Sequence, residues 1–332
     1  MLNDNYFNSN IIINMCKNIT IYKFKFLYNF LLLLLWIFMS TSANSQITDE
    51  IFEKVVGGLN FPEGPAWDGN GNLYVSSCYR GYITKITKDS SSTFLKASNE
   101  PFTLKQTNGL TFDRYGNLYA CDYGIGAILK ISVDGKTELY ASGYNGEKFN
   151  RPNDLAFDPN GNLYFTDPKS YDKNKPDGIV YRIDNKTKDV TIAADSIAYS
   201  NGIAFSSDAK NVFVCESAEH RILKFEINDD GTFTNRKVFA TIPDGDPDGI
   251  AFDIEENLYV ANFGSGRIYI LNPDGSIKTF FKAPGKKPSN VEFADKDLRT
   301  LYITEDETNA VYKTRVEIPG LCLFNSPKNK DN

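Results

Sequence analysis

Six polar residues recur along the chain at regular intervals, and all are of types that bind hard cations. Each stands at the start of a short apolar run, about 45 residues after the one before it. They are Glu63, Asn108, Asn153, Asn201, Asp248 and Asn290. Carboxylate and carboxamide oxygens are the ligands that Ca²⁺ prefers, about six to eight at a time. If the fold brings these residues together, the sequence predicts a site for one divalent cation.

Each polar residue opens a copy of the same motif. The third copy, residues 151–168, reads RPNDLAFDPNGNLYFTDP, with two apolar runs on either side of a turn segment. Proline presets one turn dihedral and Asn-Gly supplies positive φ, so the motif predicts two antiparallel strands. Two more strands of alternating apolar residues follow in most copies, as at residues 127–131 and 137–141.

Four short strands per repeat of about 45 residues are typical of a β-propeller blade. Helical repeats would need apolar residues at every third or fourth position over a longer run, and none follows residue 46. The sixth copy ends after three strands, near Val316, and residues 51–59 have no partner of their own. We therefore predict an all-β, six-bladed propeller with four antiparallel strands per blade, closed by an N-terminal strand in the last blade.

This topology places the first residue of every inner strand on one face of the disc, near the axis. Side chains crowded there without a counter-charge would carry a desolvation and repulsion cost. A single Asn-Gly or Asp-Gly pair is usually only a turn former, but six in register favour a bound cation. Ca²⁺ fits best, with Mg²⁺, Mn²⁺ and Zn²⁺ as alternatives, although zinc sites more usually contain His or Cys. The predicted ligands are Glu63, Asn153, Asn201 and Asp248; Asn108 and Asn290 would support them or face the substrate.

The N-terminal segment is a different kind of sequence. Lysines precede five consecutive leucines, residues 31–35, and Ala43-Asn44-Ser45 resembles a cleavage site. The apolar core of about 14 residues is short for a membrane span of roughly 20; an uncleaved anchor is the alternative reading, and Met15 is an alternative start. We predict a cleaved signal peptide (1–45), the propeller (46–318), a flexible tail (319–332), and a secreted or periplasmic protein.

Charge and rare residues exclude several classes of function. The chain has 36 basic and 42 acidic residues, a net charge of −6, and no basic stripe, which argues against nucleic acid. The expected partner is a small-molecule substrate, with no stable membrane association after leader removal. The five cysteines match no zinc or redox spacing. Cys78, Cys121 and Cys215 are expected to be buried thiols, with a disulfide as the open alternative. His220 is the only histidine, so Ser-His-Asp chemistry is disfavoured.

The motifs around the polar residues resemble the gluconolactonase, senescence-marker-protein (regucalcin) and luciferin-regenerating-enzyme-like family. They are Pro62-Glu63-Gly64-Pro65, Arg151-Pro152-Asn153-Asp154, Phe165-Thr166-Asp167-Pro168, Ser200-Asn201-Gly202 and Pro247-Asp248-Gly249. The resemblance covers about residues 50–316. It implies a metal-dependent hydrolase that opens a lactone, a cyclic carboxylic ester.

The resemblance also implies roles for individual residues. Glu63, Asn153, Asn201 and Asp248 would bind the metal, Asn108 would contact substrate, and Asp248 would also act as the base. The metal would polarise the carbonyl and activate water. Asp167 is a further candidate for substrate binding, or else a strand-end residue that holds its loop. Two other functions stay open: a non-catalytic binding propeller with a structural metal, and another metal-dependent ester or phosphotriester hydrolase.

Overall fold

The computed structural model describes residues 47–48, 52–98 and 103–327, and the predicted signal peptide lies outside these ranges. The described strands form six antiparallel blades arranged in a ring, so the predicted all-β six-bladed propeller is confirmed. Helix among these residues is limited to two single 3-10 turns, Cys78–Arg80 and Ser217–Glu219. No described helix is both long enough and apolar enough to span a bilayer.

The strands run in chain order from the centre of each blade to its outer edge. Before blade 1 lie β1 (Ile47–Thr48) and β2 (Glu53–Gly57). Blade 1 contains β3 (Pro62–Trp67), β4 (Leu73–Ser77), β5 (Tyr82–Ile86) and β6 (Ser91–Lys96). Blade 2 contains β7 (Thr107–Phe112), β8 (Leu118–Asp122), β9 (Ala127–Ile131) and β10 (Thr137–Ala141). Blade 3 contains β11 (Leu155–Phe157), β12 (Leu163–Asp167), β13 (Gly178–Ile183) and β14 (Val190–Ile197).

The second half of the chain repeats this order. Blade 4 contains β15 (Ser200–Phe205), β16 (Asn211–Glu216), β17 (Arg221–Ile227) and β18 (Phe233–Thr241). Blade 5 contains β19 (Asp246–Phe252), β20 (Leu258–Phe263), β21 (Arg267–Leu271) and β22 (Ile277–Lys282). Blade 6 contains β23 (Pro288–Ala294), β24 (Thr300–Glu305) and β25 (Ala310–Arg315).

Two N-terminal strands join the last two blades. β2 pairs antiparallel with β25, from Glu53 opposite Lys313 to Gly57 opposite Ala310, and supplies the outer strand of blade 6. This confirms the predicted closure of the ring by an N-terminal strand, because β2 covers the outer edge that β25 would otherwise expose. β1 pairs in parallel with β22 and adds a fifth strand to blade 5, which the sequence did not predict.

A side-chain clamp closes the hairpin between the two inner strands of four blades. In blade 2, Asp113 Oδ1 accepts a hydrogen bond from the backbone N–H of Asn117, and Asp113 Oδ2 accepts one from the Asn117 side chain, both at 2.9 Å. The same Asp-to-Asn clamp holds the turns that begin at Asp68, Asp158 and Asp253. Aspartate therefore fixes these turns by accepting from their backbone, as it does in Asx turns generally.

Aromatic side chains pack one blade against the next. Tyr119 on β8 meets Phe157 on β11 with ring centroids 5.1 Å apart and nearly perpendicular rings. Equivalent edge-to-face contacts join four other pairs of neighbouring blades: Tyr74 with Phe112, Tyr164 with Phe205, Phe213 with Phe252, and Tyr259 with Phe293. The repeated Phe and Tyr of the sequence thus stabilise the ring, since such pairs add about 0.5–1.5 kcal/mol each beyond burial.

The segment after blade 6, for which the sequence predicts a flexible tail, crosses the channel on the face opposite the predicted site. Its backbone hydrogen-bonds to blades 5 and 6: Gly320 N–H donates to Leu298 O (2.7 Å) and Leu321 N–H to Phe252 O (2.8 Å). Farther along, Phe324 packs against Phe205 of blade 4. Residues 319–327 therefore act as a strap across the channel, which we call the C-terminal strap.

Candidate metal and substrate site

Strand register shows which residue of each inner strand occupies the same position. In five blades, one residue of the inner strand pairs with the last residue of the second strand or, in blade 5, with the last but one. These pairs are Pro62 with Ser77, Thr107 with Asp122, Ser200 with Glu216, Pro247 with Asn262, and Pro288 with Glu305. The next residue is the first to point towards the axis. It is Glu63, Asn108, Asn201 or Asp248 in blades 1, 2, 4 and 5, and Asn153 takes the matching place opposite Thr166 in blade 3. We call these five residues the polar ring.

Each inner strand carries a bulge directly after its polar-ring residue, except in the short β11. The bulged residue is glycine in blades 1, 2, 4 and 5, because the neighbouring blade comes too close for a side chain. A Cβ at Gly202 would lie 2.2 Å from the carbonyl oxygen of Asp248, and one at Gly109 would lie 2.6 Å from that of Asn153. The glycines of the Asn-Gly and Asp-Gly pairs therefore permit the tight ring rather than form turns.

Blade 6 departs from the alignment that the sequence suggests. Its register places Ser289 at the polar-ring position and Asn290 one residue deeper, where the other blades have glycine. The Ser289 hydroxyl is buried and donates to Pro62 O at 2.8 Å. The Asn290 side chain hydrogen-bonds Glu63, and its Oδ1 accepts from Val291 N–H at 2.8 Å. Asn290 thus holds Glu63, a predicted metal ligand, and lines the channel below the polar ring. The sequence alignment, which placed Asn290 at the polar-ring position of blade 6, was one residue out of register.

The other five polar residues line one cavity of about 240 Å³ on the face where the sequence places them. We call it the main cavity. Its upper wall is largely aromatic: Phe61, Tyr79, Tyr123, Tyr171, Tyr199 and Phe263. Arg151 also lines it, with its guanidinium 5.8 Å from the centroid of the Tyr123 ring. The site thus combines an oxygen-rich floor with apolar walls, as small-molecule sites usually do.

Burial and neighbouring acidic groups shift the pKa values of the two carboxylates of the floor. Burial, followed by the negative charge of Asp154, raises the pKa of Glu63 to about 8, although hydrogen bonds from Gly64 N–H and Asn290 lower it. Burial and then the charge of Glu63 raise the pKa of Asp248 well above its usual range, with Asn201 donating a hydrogen bond that lowers it. Two buried acids placed so close together are stabilised when a cation binds between them.

Asn201 is oriented so that its carbonyl oxygen can bind a cation. Its amide nitrogen donates to Ser217 Oγ at 3.3 Å, and Ser217 in turn donates to Pro247 O at 2.7 Å. Since the amide group is also the donor to Asp248, Oδ1 remains the acceptor end. Among the described residues no group of three or more His, Cys, Asp or Glu could hold a metal. An ion on this floor would therefore need the asparagine oxygens together with both carboxylates, a donor set that suits Ca²⁺.

Asp167 is placed by the structure at a strand end, away from the main cavity lining. Its carboxylate is buried and accepts hydrogen bonds from the backbone N–H of Asn150 (2.9 Å) and Arg151 (2.5 Å). Asp122, Glu216 and Glu305 hold the corresponding loops of blades 2, 4 and 6 in the same way. Asp167 therefore positions the loop that carries Arg151 and Asn153, the second of the two roles considered for it.

Several residues of the cavity lie outside the polar ring, in loops or at strand ends. Arg151 precedes the Asn153 motif and Tyr171 lies in the longest loop, where its ring meets that of Tyr199 at 5.1 Å. His220 is half-exposed and contacts Asp246 at the cavity rim, with Nδ1 3.1 Å from Oδ1. Cys78, Cys121 and Cys215 are buried free thiols, and Cys78 lines the cavity beside Glu63.

A family model described as the SMP-30/Gluconolactonase/LRE-like region matches residues 61–306, nearly the whole ring of blades. The chain belongs to this family. The fold agrees: a gluconolactonase from Xanthomonas campestris superposes with a TM-score of 0.72 at 27% identity, covering 84% of this chain and 93% of that one. A luciferin-regenerating enzyme gives the same TM-score at 22% identity, covering 83% and 98%, and supports the fold alone.

Curated relatives match part of the chain. A 6-deoxy-6-sulfogluconolactonase from Pseudomonas putida is 32% identical over 45% of this chain and 56% of its own length. Diisopropyl-fluorophosphatase from Loligo vulgaris is 36% identical over 35% and 39%. Lactonase drp35 from Staphylococcus haemolyticus is 38% identical over 33% and 35%. The chain thus spans about half or less of the length of these relatives.

Proposed function

We propose that this protein is a divalent-metal-dependent lactonase. The observation that carries the proposal is the polar ring: five oxygen-bearing side chains from five blades line the floor of one cavity. The family and its gluconolactonase and lactonase relatives support the same reaction. Glu63, Asn153, Asn201 and Asp248 would hold the ion, Ca²⁺ by preference, with Mg²⁺, Mn²⁺ or Zn²⁺ as alternatives. When bound, such an ion polarises an ester oxygen and lowers the pKa of water.

The side chains of the protein would bind the substrate, exclude bulk water and transfer the proton. Asn108 donates from its amide to the substrate, and the aromatic wall excludes bulk water from the reacting ester. An Asp248 carboxylate oxygen accepts a proton from the attacking water as the new C–O bond forms. The ring C–O bond then breaks, and the same proton passes to the departing alkoxide. A positioned base of this kind contributes on the order of 10²–10⁴ in rate.

The test is hydrolysis of glucono-1,5-lactone and a panel of other lactones by purified protein. Activity should depend on added Ca²⁺, disappear after chelation and return on reconstitution. The released carboxylic acid is followed by proton release at constant pH. If the protein opens none of the lactones with any of the four metals, the proposal is refuted.

A second candidate is phosphotriester hydrolysis, which the similarity to diisopropyl-fluorophosphatase favours. A phosphotriester and diisopropyl fluorophosphate, whose cleaved bond is P–F, belong in the same panel; released alcohol and released fluoride report their cleavage. Turnover of either organophosphate without any lactone turnover would select this candidate. Bound metal with neither reaction would select a non-catalytic binding propeller.

We also propose export from the cytoplasm, on the strength of the leader-like residues 1–45. Expression of the full chain with fractionation should release a product that begins near Gln46. A product that keeps residues 1–45 in a membrane fraction would indicate the uncleaved anchor instead.

A further inference from the structure

The longest connection between a second and a third strand borders the mouth of the main cavity. It runs from residue 168 to residue 177, between β12 and β13 of blade 3, and the matching connections of the other blades are shorter. Residues 171–176 are exposed, while Pro168 and Tyr171 line the main cavity. This segment, which we call the rim loop, therefore projects from the body of the propeller at the edge of the site.

The rim loop is closed on itself at its base. The Asp177 carboxylate accepts hydrogen bonds from the backbone N–H of Ser170 at 2.8 Å and from the Ser170 hydroxyl at 2.9 Å. Lys175 Nζ lies 3.1 Å from the same carboxylate. Within the loop, Asp172 Oδ1 accepts from Asn174 N–H at 2.9 Å, and Asp172 O accepts from Lys175 N–H at 3.0 Å. A loop held together in this way can move as one body about its two ends.

Tyr171 reaches out of the rim loop and across blade 4. Its ring meets the Tyr199 ring of blade 4 edge-on, with centroids 5.1 Å apart. Its hydroxyl donates a hydrogen bond to the Asp246 carboxylate of blade 5. Burial, followed by this hydrogen bond and the charge of Asp246, raises the pKa of Tyr171, so the hydroxyl keeps the proton that it donates. One side chain thus connects blade 3 to blade 5 along the blade-4 side of the mouth.

His220 holds the acceptor of this hydrogen bond in place. Its Nδ1 lies 2.9 Å from Gly245 O and 3.1 Å from Asp246 Oδ1. Both partners are acceptors, so Nδ1 is the ring nitrogen that carries a proton. Asp246 lines the main cavity with its side chain 27% exposed, and Tyr171 and His220 are both more exposed than this. Water can therefore replace either partner of the Tyr171 hydrogen bond, so the contact can open and close.

We propose that Tyr171 and Asp246 form a latch that holds the rim loop over the main cavity, and that release of this latch opens the cavity to ligands. The inference goes beyond the proposed reaction, because such a gate controls entry for any ligand of this cavity. A ligand too large for the opening that the closed loop leaves enters only after the hydroxyl has left Asp246. Loops that close over a site commonly limit entry and release in this way.

A distance measurement between two spin labels tests the latch without any reaction. Lys173→Cys, on the rim loop, and Lys286→Cys, on blade 6 across the ring, provide two exposed attachment sites. Cys322→Ser removes the exposed native thiol, and the other described cysteines are buried. Double electron–electron resonance should show one dominant distance in this otherwise unchanged protein. Tyr171→Phe, which removes only the hydroxyl, should raise the population at longer distance at least about fivefold, the effect of losing one hydrogen bond.

Tyr140→Phe is the matched control, since it removes a tyrosine hydroxyl that accepts from Lys188 Nζ at 3.1 Å, away from the rim loop. It should leave the distance distribution unchanged. Asp246→Ala should act like Tyr171→Phe, and the double variant should open no further than either single variant, because the latch is then already broken. Unchanged distances in Tyr171→Phe, additive effects of the two substitutions, or a broad distribution in the protein with an intact latch would each overturn the inference.

A comparison of two lactones tests the effect on entry, and this part depends on the proposed function. The pair is δ-valerolactone and δ-dodecalactone, which share one ring and differ by a long alkyl chain. Tyr171→Phe should raise kcat/KM for the larger lactone relative to the smaller at least about threefold, whereas Tyr140→Phe should leave the ratio unchanged. An unchanged or lowered ratio in Tyr171→Phe would overturn the gate. If neither lactone is opened by any variant, the lactonase proposal fails for this pair and the distance measurement alone decides the inference.

Discussion

Glu63 and Asp248 belong to blades 1 and 5, which blade 6 separates, and yet their carboxylates line the same cavity floor. Burial, followed by the charge of Glu63, raises the pKa of Asp248. Two buried acids so placed are stabilised by a cation and destabilised without one, because each lowers the other's tendency to ionise. Removal of one of these charges should therefore lower metal content and activity but should not lower the stability of the metal-free protein, and each quantity can be measured separately.

Glu63→Gln and Asp248→Asn each remove one charge from the floor. Bound Ca²⁺, measured by elemental analysis, should be lost in Asp248→Asn, and kcat/KM should fall at least about 100-fold. In chelator both variants should be at least as stable as the wild type, because a buried charge has been removed. Added Ca²⁺ should raise the melting temperature of the wild type only. Glu255→Gln, on an exposed turn, is the control; retention of full metal content in both floor variants would contradict the ligand assignment.

Asp167→Ala tests a positioning residue. Removal of its carboxylate leaves the N–H groups of Asn150 and Arg151 without their acceptor, so the free energy of unfolding in urea should fall by about 2–4 kcal/mol. Asp189→Ala, at an exposed residue, should change it by less than about 0.5 kcal/mol. A variant of unchanged stability with a raised KM would instead assign Asp167 to substrate binding.

Gly202→Ala tests the close approach of blades 4 and 5. The added methyl carbon would meet the Asp248 carbonyl oxygen at 2.2 Å, so the inner strand must move and unfolding should become easier by about 3 kcal/mol or more. Gly71→Ala is the matched control, since its positive φ of 102° is unfavourable but nothing lies within 4 Å of the new carbon. It should cost about 1 kcal/mol. Similar costs for both would show that backbone conformation, not contact, sets the requirement.

Glu292 should make the stability depend on pH. It lies with Asp154 in a smaller axial cavity below the polar ring, and burial raises its pKa from 4.5 to about 8. Between these values the folded chain keeps a proton that the unfolded chain loses, so stability falls as pH rises from 4.5 to 8. The free energy of unfolding in urea, measured in chelator, should fall between pH 5 and pH 8.5. The fall should be smaller for Glu292→Gln than for the wild type, by on the order of 2 kcal/mol. The same pH slope in both proteins would exclude this assignment.

Truncation after Ile318 tests the C-terminal strap. The truncated chain loses the backbone hydrogen bonds of Gly320 and Leu321 and the apolar cover that Leu321 and Phe324 give to the axial cavity. The free energy of unfolding should fall by about 2–4 kcal/mol, with increased binding of an apolar dye. Arg114→Ala removes only an exposed side-chain contact to Asn325 and should cost less than about 1 kcal/mol. A truncated chain as stable as the full one would show that the strap contributes nothing.

The sequence alone determined the repeating architecture and five members of the polar ring. Periodicity reveals these because most blades need the same residues at the same positions. They need an aspartate to hold the turn, an aromatic ring to pack on the next blade, and a small residue where the inner strands approach each other. Glu63, Asn108, Asn153, Asn201 and Asp248 stand in register with those signals, so their convergence follows from the repeat.

Only the tertiary structure decided what departs from the repeat. Blade 6 lacks the glycine found at the bulge of four other blades, so Ser289 and Asn290 could be told apart only by their pairing with β24. The role of Asp167 depends on whether backbone N–H groups reach its carboxylate, and those of Asn150 and Arg151 do. Hydrogen bonding is set by distance and direction between atoms far apart along the chain. The sequence shows that a residue has a carboxylate that can accept hydrogen bonds or bind a cation. Only the fold decides whether backbone N–H groups already occupy that carboxylate.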